Sequence, residues 1–92
     1  MIYELEYTPV AFEEIEVLKK TGDKTVLRKF AKLLGELMEH PYTGTGKPEL
    51  LKHNISGCYS RRITKKHRLV YQVNEDKIIV LILFVSSHYG DK

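Results

Sequence analysis

The 92 residues include one cysteine, Cys58. No disulfide can close within the chain, and no cysteine-based zinc site can be built. The four histidines show no HExxH or comparable ligand spacing, so no metal centre is expected. No cofactor is expected either, because neither a GxGxxG turn nor a Walker loop is present. Gly44-Thr45-Gly46-Lys47 is too short for those loops and lacks their strand–loop–helix setting. The longest apolar run, Ile78 to Val85, falls far short of a bilayer span, so no membrane role is expected. Met1 leads straight into an alternating segment, not into the charged-then-apolar order of a signal peptide, and the cytoplasm is the expected location. No repeat or low-complexity tract interrupts the chain. One domain over residues 1–92 is expected, hiding about 60–65% of its unfolded surface.

What the chain does have is a concentration of positive charge. Lys47 to Arg68 carries seven cations (Lys47, Lys52, Arg61, Arg62, Lys65, Lys66 and Arg68) against one anion, Glu49, for a formal +6. Residues 1–46 sum to −2 and residues 69–92 to −1, so the overall +3 is a local property. Such a patch attracts polyanions, nucleic acid first among them. A surface that only binds phosphate has no use for Glu49. A catalyst that must remove a proton does.

Tyr3, Leu5 and Tyr7 alternate with Glu4 and Glu6, as in a strand with one buried face. Thr8 then offers an N-cap and Pro9 the first helical position. Phe12, Ile15 and Leu18 should share the buried face of that helix, Lys19 and Lys20 suit its last turn, and Gly22 stops it. Asp23 caps a second helix with a broad stripe of Val26, Leu27, Phe30, Ala31, Leu33, Leu34, Leu37 and Met38, ended by Pro41. So short a link predicts a helical hairpin. Pro41 to Gly57 has no sustained period and reads as a long loop, more often functional than idle. Three strands follow: Cys58 to Thr64, Arg68 to Asn74, and Lys77 to Ser87. Leu69, Tyr71 and Val73 should face inward, with Arg62, Arg68 and Gln72 on the polar face. The last strand, almost continuously apolar, should be central and buried on both faces. The expected fold is α+β, a two-helix hairpin on one face of a mostly antiparallel four-stranded sheet.

Gly44 to Val73, GTGKPELLKHNISGCYSRRITKKHRLVYQV, together with the pair His88-Tyr89, resembles the signature of the YoeB (Txe/YoeB) toxins, a branch of the RelE-like superfamily. The helices agree with that family in length and placement more than in residues. Family sequences end at the His-Tyr pair, whereas Gly90-Asp91-Lys92 follows here. The resemblance implies a RelE-like fold and a ribosome-associated endoribonuclease that cuts mRNA in the 70S decoding site. It also implies a cognate antitoxin of YefM/Axe type, contact with operator DNA only jointly with that antitoxin, and a tendency to pair as homodimers. Carried over by motif, the family's catalytic and RNA-binding positions fall on Glu49, Lys52, Arg62, Arg68, His88 and Tyr89.

These residue types suit RNA cleavage that uses the adjacent 2′-OH as nucleophile. Glu49 can act as base, Arg68 and Arg62 offer forked donors to phosphate oxygens, and Lys52 adds a point charge. His88 titrates in the range of a general acid, and Tyr89 can stack on a base or lend its hydroxyl. Plainer readings stand beside these. A carboxylate among lysines suits a solvated ion pair, and a histidine near a C-terminus is often inert. Arg62 and Arg68 also suit a non-catalytic module that binds RNA or operator DNA. Tyr59 and Tyr71 suit the core, and His67 suits a turn.

Overall fold

The computed structural model describes residues 2–46, 48–51, 57–65 and 67–86. Strand β1 (Glu4–Tyr7) leads into helices α1 (Pro9–Thr21) and α2 (Lys24–Glu39), followed by strands β2 (Glu49–Leu50), β3 (Tyr59–Arg62), β4 (Arg68–Asn74) and β5 (Ile79–Ser86). The strands form one mixed sheet in the order β1-β5-β4-β3-β2. β1 runs parallel to β5, and the other neighbours are antiparallel. The α+β class and the two consecutive helices are as expected, but the sheet has five strands, not four. The additional strand, β2, is two residues long, too short to leave an alternation in the sequence.

Local signals set the helix ends. Thr8 Oγ1 accepts the Ala11 N–H at 3.0 Å, and the same hydroxyl donates to the Leu83 carbonyl at 2.8 Å, tying the start of α1 to β5. Gly22 closes α1 in the left-handed region at φ 74°. Asp23 Oδ1 accepts from Thr25 and Val26, capping α2. Ala11, Ile15 and Leu18 form the buried stripe of α1, while Phe12 is 60% exposed. The stripe follows the i, i+4, i+7 row that faces the sheet, and Phe12 lies off it. On α2 the buried row is Val26, Phe30, Leu33 and Leu37, with Ala31 and Met38 left outside it.

β5 is the central strand, paired on both edges. Val80, Ile82 and Val85 are buried towards the helices, whereas Ile79, Leu81, Leu83 and Phe84 are half-buried. The expectation of full burial on both faces is corrected, because only one face carries a helical layer. A bulge between Val70 and Tyr71 leaves Leu83 without a partner in the β4–β5 register.

The largest departure from the sequence reading is Arg61. Counted above as part of the cationic surface, it has 0% exposure. Arg61 follows Tyr59 on the helix-facing side of β3, and its guanidinium pairs with Glu36 of α2 at 3.0 Å. Nε donates to Tyr71 Oη at 3.2 Å. Nη1 also donates to the Thr45 carbonyl at 3.4 Å, and Nη2 to the carbonyls of Thr43, at 2.6 Å, and His40. Glu36 takes two further bonds from Thr45, from its N–H and its hydroxyl, both at 2.7 Å. Gly44 crosses this cluster at φ 121°, where a Cβ would come within 2.5 Å of Glu36 Oε1, so glycine is required. Tyr3 and Tyr42 both donate to the Glu75 carboxylate, which ties the same loop to the β4–β5 turn.

Burial by itself would raise the Glu36 pKa, but the two bonds from Thr45 and the charges of Arg61 and Lys32 outweigh it and hold the carboxyl below its ordinary 4.5. A depressed native pKa adds stability above the unfolded value, and that stability is lost as pH falls through the native one. Chemical denaturation should therefore show stability falling as pH drops below about 4.5, with a shallower fall for Glu36→Gln. An identical fall in the variant would contradict the assignment. Arg61→Ala removes the buried guanidinium and leaves the half-buried Glu36 carboxylate and several carbonyls without it, and in the same denaturation measurement should cost about 3 kcal/mol, the low end for breaking a buried pair.

Candidate functional site

Register brings the site together. Glu49 on β2 sits opposite Ser60, and Arg62 on β3 sits opposite Arg68 on β4. Glu49, Ser60, Arg62 and Arg68 thus share the sheet face opposite Arg61, because side chains alternate along a strand. Arg68 Nη1 donates to Ser60 Oγ at 3.4 Å and lies 3.8 Å from Glu49 Oε1. The Glu49 side chain is 67% exposed and that of Arg68 32%. At 3.8 Å the pair is longer than a charge-assisted hydrogen bond, so the carboxylate keeps lone pairs open to an incoming proton.

Gly46, Pro48, Glu49, Arg62 and Arg68 line an open cleft of about 290 Å³. Gly46 forms part of its wall, and its carbonyl accepts the Arg62 N–H at 2.8 Å. At φ 85° a Cβ on Gly46 would meet the Arg62 carbonyl at 2.7 Å, so the loop can lie this close to β3 only with glycine there. Gly46 and Pro48 line the cleft without any signal of composition or period that marks them as site residues. The available signal is instead the Gly44-Thr45-Gly46 spacing.

Of the residues singled out from the sequence, the structure brings Glu49, Arg62 and Arg68 to one cleft. Lys52, His88 and Tyr89 lie outside the described residues. Arg61 belongs to the interior. His67 holds the β3–β4 turn: its N–H donates to Thr64 Oγ1 at 3.1 Å, and Nδ1 lies 3.0 Å from the same oxygen. Tyr59 and Tyr71 stack with ring centroids 5.8 Å apart, a core pairing as expected. The buried Cys58 thiol is pushed up in pKa by its burial, which disfavours the reactive thiolate. Among the described residues, no group of three or more His, Cys, Asp or Glu side chains is gathered for a metal.

Chemically, the cleft places an accessible carboxylate beside two guanidinium groups. The cations suit phosphate oxygens, and the carboxylate suits a hydroxyl proton next to that phosphate.

Known proteins resemble this chain in sequence and in fold. The family of YoeB-like toxins of bacterial type II toxin-antitoxin systems matches residues 7–89. Toxin YoeB of Escherichia coli K12 is 48% identical over 58 residues, covering 63% of this chain and 69% of that protein. The YoeB dimer of Staphylococcus aureus superposes with a TM-score of 0.81 at 36% identity, over 97% of this chain and 100% of that one. The heterotetrameric YoeB-YefM toxin-antitoxin complex of the same organism gives a TM-score of 0.79 at 36% identity, with the same coverage.

The cleft geometry makes a prediction about binding alone. Glu49 places a negative charge where a phosphate would enter, so Glu49→Gln should tighten binding of a non-cleavable single-stranded oligonucleotide. Arg62→Ala should weaken it and lower the slope of log K against log[salt] by about 0.7. Fluorescence anisotropy across salt concentrations reads both effects. Weaker binding by Glu49→Gln would mean that the carboxylate does not face the bound anion.

Proposed function

The chain belongs to the family of YoeB-like toxins of bacterial type II toxin-antitoxin systems, and on that premise we propose that it is a metal-independent endoribonuclease that cuts translated mRNA on the ribosome and so inhibits translation. The observation that carries this reading is the exposed Glu49 carboxylate 3.8 Å from Arg68 in an open cationic cleft. Binding alone does not call for an anion there.

In the proposed reaction, Glu49 removes the proton of a ribose 2′-OH, and that oxygen attacks the adjacent phosphorus. Arg68 and Arg62 stabilise the charge growing on the non-bridging oxygens. The bond from phosphorus to the 5′-oxygen breaks, and the leaving oxygen takes a proton from His88. The products are a 2′,3′-cyclic phosphate and a 5′-hydroxyl. The family motif and the range in which an imidazole exchanges its proton support giving His88 the role of acid. Lys52 adds charge to the phosphate site, and Tyr89 stacks on a base. A cleft of about 290 Å³ grips only a short stretch of a long message, which supports the 70S ribosome as the second half of the substrate site.

The proposed partner is a cognate antitoxin of YefM/Axe type, in line with the Staphylococcus aureus complex. Operator DNA would be bound only jointly with it. A homodimer is proposed on the likeness to the dimer from the same organism. Val10, Phe12 and Val17, all exposed, provide apolar surface on α1 for such contacts. No helix among the described residues is long and apolar enough to cross a membrane, and a ribosomal substrate implies work in the cytoplasm.

Single-turnover cleavage of ribosome-bound mRNA tests the assignments. Glu49→Ala and His88→Ala should each slow the chemical step by about 10²–10⁴-fold while affinity persists. Arg68→Ala should lower both binding and rate, because its charge serves the bound phosphate as well as the transition state. The rate should rise with ionisation of the carboxylate and fall as the imidazole loses its proton, and His88→Ala should remove the falling limb. An unchanged profile in that variant would rule out His88 as the acid. Equal cleavage of naked and ribosome-bound message by the parent chain would rule out the ribosome requirement.

A further inference from the structure

Two faces of β3 meet in the loop that precedes β2. On one face Arg61 is buried and bonded to Glu36, Tyr71 and the carbonyls of His40, Thr43 and Thr45. On the other, Arg62 lines the cleft. Between them runs residues 40–46, held on the inner side by Arg61 and Glu36 and on the outer side by the Gly46 carbonyl, which accepts the Arg62 N–H at 2.8 Å. Glu49 lies three residues beyond Gly46, on a strand of two residues that begins only after this loop. So short a strand fixes its own position weakly. The geometry therefore points to the buried Arg61–Glu36 pair as the positioning element of the cleft, which sets the placement of Glu49 against Arg68 without touching substrate. This rests on the reading of Glu49 as the base.

Several features fit positioning better than general stabilisation. Each of the five N–H groups of an arginine finds an acceptor here, and three of those acceptors are backbone carbonyls of the one loop. Glu36 accepts from the N–H and the hydroxyl of a single loop residue, Thr45. Gly44 leaves room for the carboxylate to reach them. A pair required only to join α2 to the sheet has no need to hold a loop at three successive points. Misplacing a catalytic group by about 1 Å can cost about 10²-fold in rate.

The test uses the full chain on ribosome-bound mRNA, with the parent and Glu49→Ala bracketing the scale. Glu36→Ala should remain folded at the assay temperature, by circular dichroism, yet lose about 10²-fold in kcat with KM close to the parent value. Glu36→Gln should recover most of the loss, since its Oε1 can still accept from Arg61 and the Thr45 N–H while its amide donates to the Thr45 hydroxyl. Thr45→Ala removes one bond without leaving a buried charge, so it gives the same reading if Glu36→Ala fails to fold. It should lower kcat with KM unchanged and speed amide exchange at Arg62. Folded Glu36→Ala or Thr45→Ala protein with parental kcat would overturn the positioning role and leave the base assignment standing. Near-parental cleavage by Glu49→Ala would overturn the base assignment, and the positioning role with it.

Discussion

Arg61, a guanidinium with no solvent exposure and a full set of acceptors, fixes the long loop against the sheet and α2. Taking Arg61 out of water costs several kcal/mol, and only excellent geometry with every donor satisfied offsets that. Here the offset comes from the Glu36 carboxylate, the Tyr71 hydroxyl and three loop carbonyls. Tyr71 passes the chain of bonds on, donating to the Pro41 carbonyl at 2.6 Å. Without this cluster, the carbonyls of Pro41, Thr43 and Thr45 would lose these donors. With it, an irregular loop lies as closely against β3 as a strand would.

The clamp also sorts the charges of the central segment. Two adjacent arginines on β3 point to opposite faces, and only one reaches solvent. Arg61 is neutralised inside by Glu36, while Arg62 joins Arg68 at the cleft. The cationic surface is therefore smaller than the sequence total implies, and Glu49 has more influence on it. Its carboxylate is mostly exposed and only loosely paired, unlike that of Glu36, which is saturated with donors and held ionised. The two glutamates, on opposite sides of β3, thus differ in how many donors each one meets.

Much of this was readable from the residues. Thr8-Pro9, Gly22 and Asp23 mark the helix ends with local chemistry that tertiary contacts do not override. The alternation around Leu69, Tyr71 and Val73 gives the inward face of β4. What escaped depends on distance in space. β2 exists only because Glu49 and Leu50 find Ser60 and Tyr59 across the sheet edge. The inward role of Arg61 was signalled by its place between Tyr59 and Ile63. Its partner, however, is 25 residues away on a helix, and charge alone placed it on the surface. Phe12 was assigned inward by a spacing of three, but the row that meets the sheet runs through Ala11, Ile15 and Leu18. Of the site, Glu49, Arg62 and Arg68 were legible as residue types in a cationic segment. The glycines that allow the loop its close approach were visible only as punctuation.

In the proposed reaction this cleft cuts RNA by turning the message's own 2′-hydroxyl into the nucleophile. The most direct measurement replaces that single hydroxyl with hydrogen at the mapped cleavage position of a ribosome-bound mRNA and follows cleavage at that bond, with the end groups of the all-ribose product identified by mass spectrometry. No cleavage is expected at the deoxy position, and a 2′,3′-cyclic phosphate with a 5′-hydroxyl is expected from the all-ribose message. Cleavage of the deoxy message at an undiminished rate, leaving a 3′-hydroxyl and a 5′-phosphate, would contradict it.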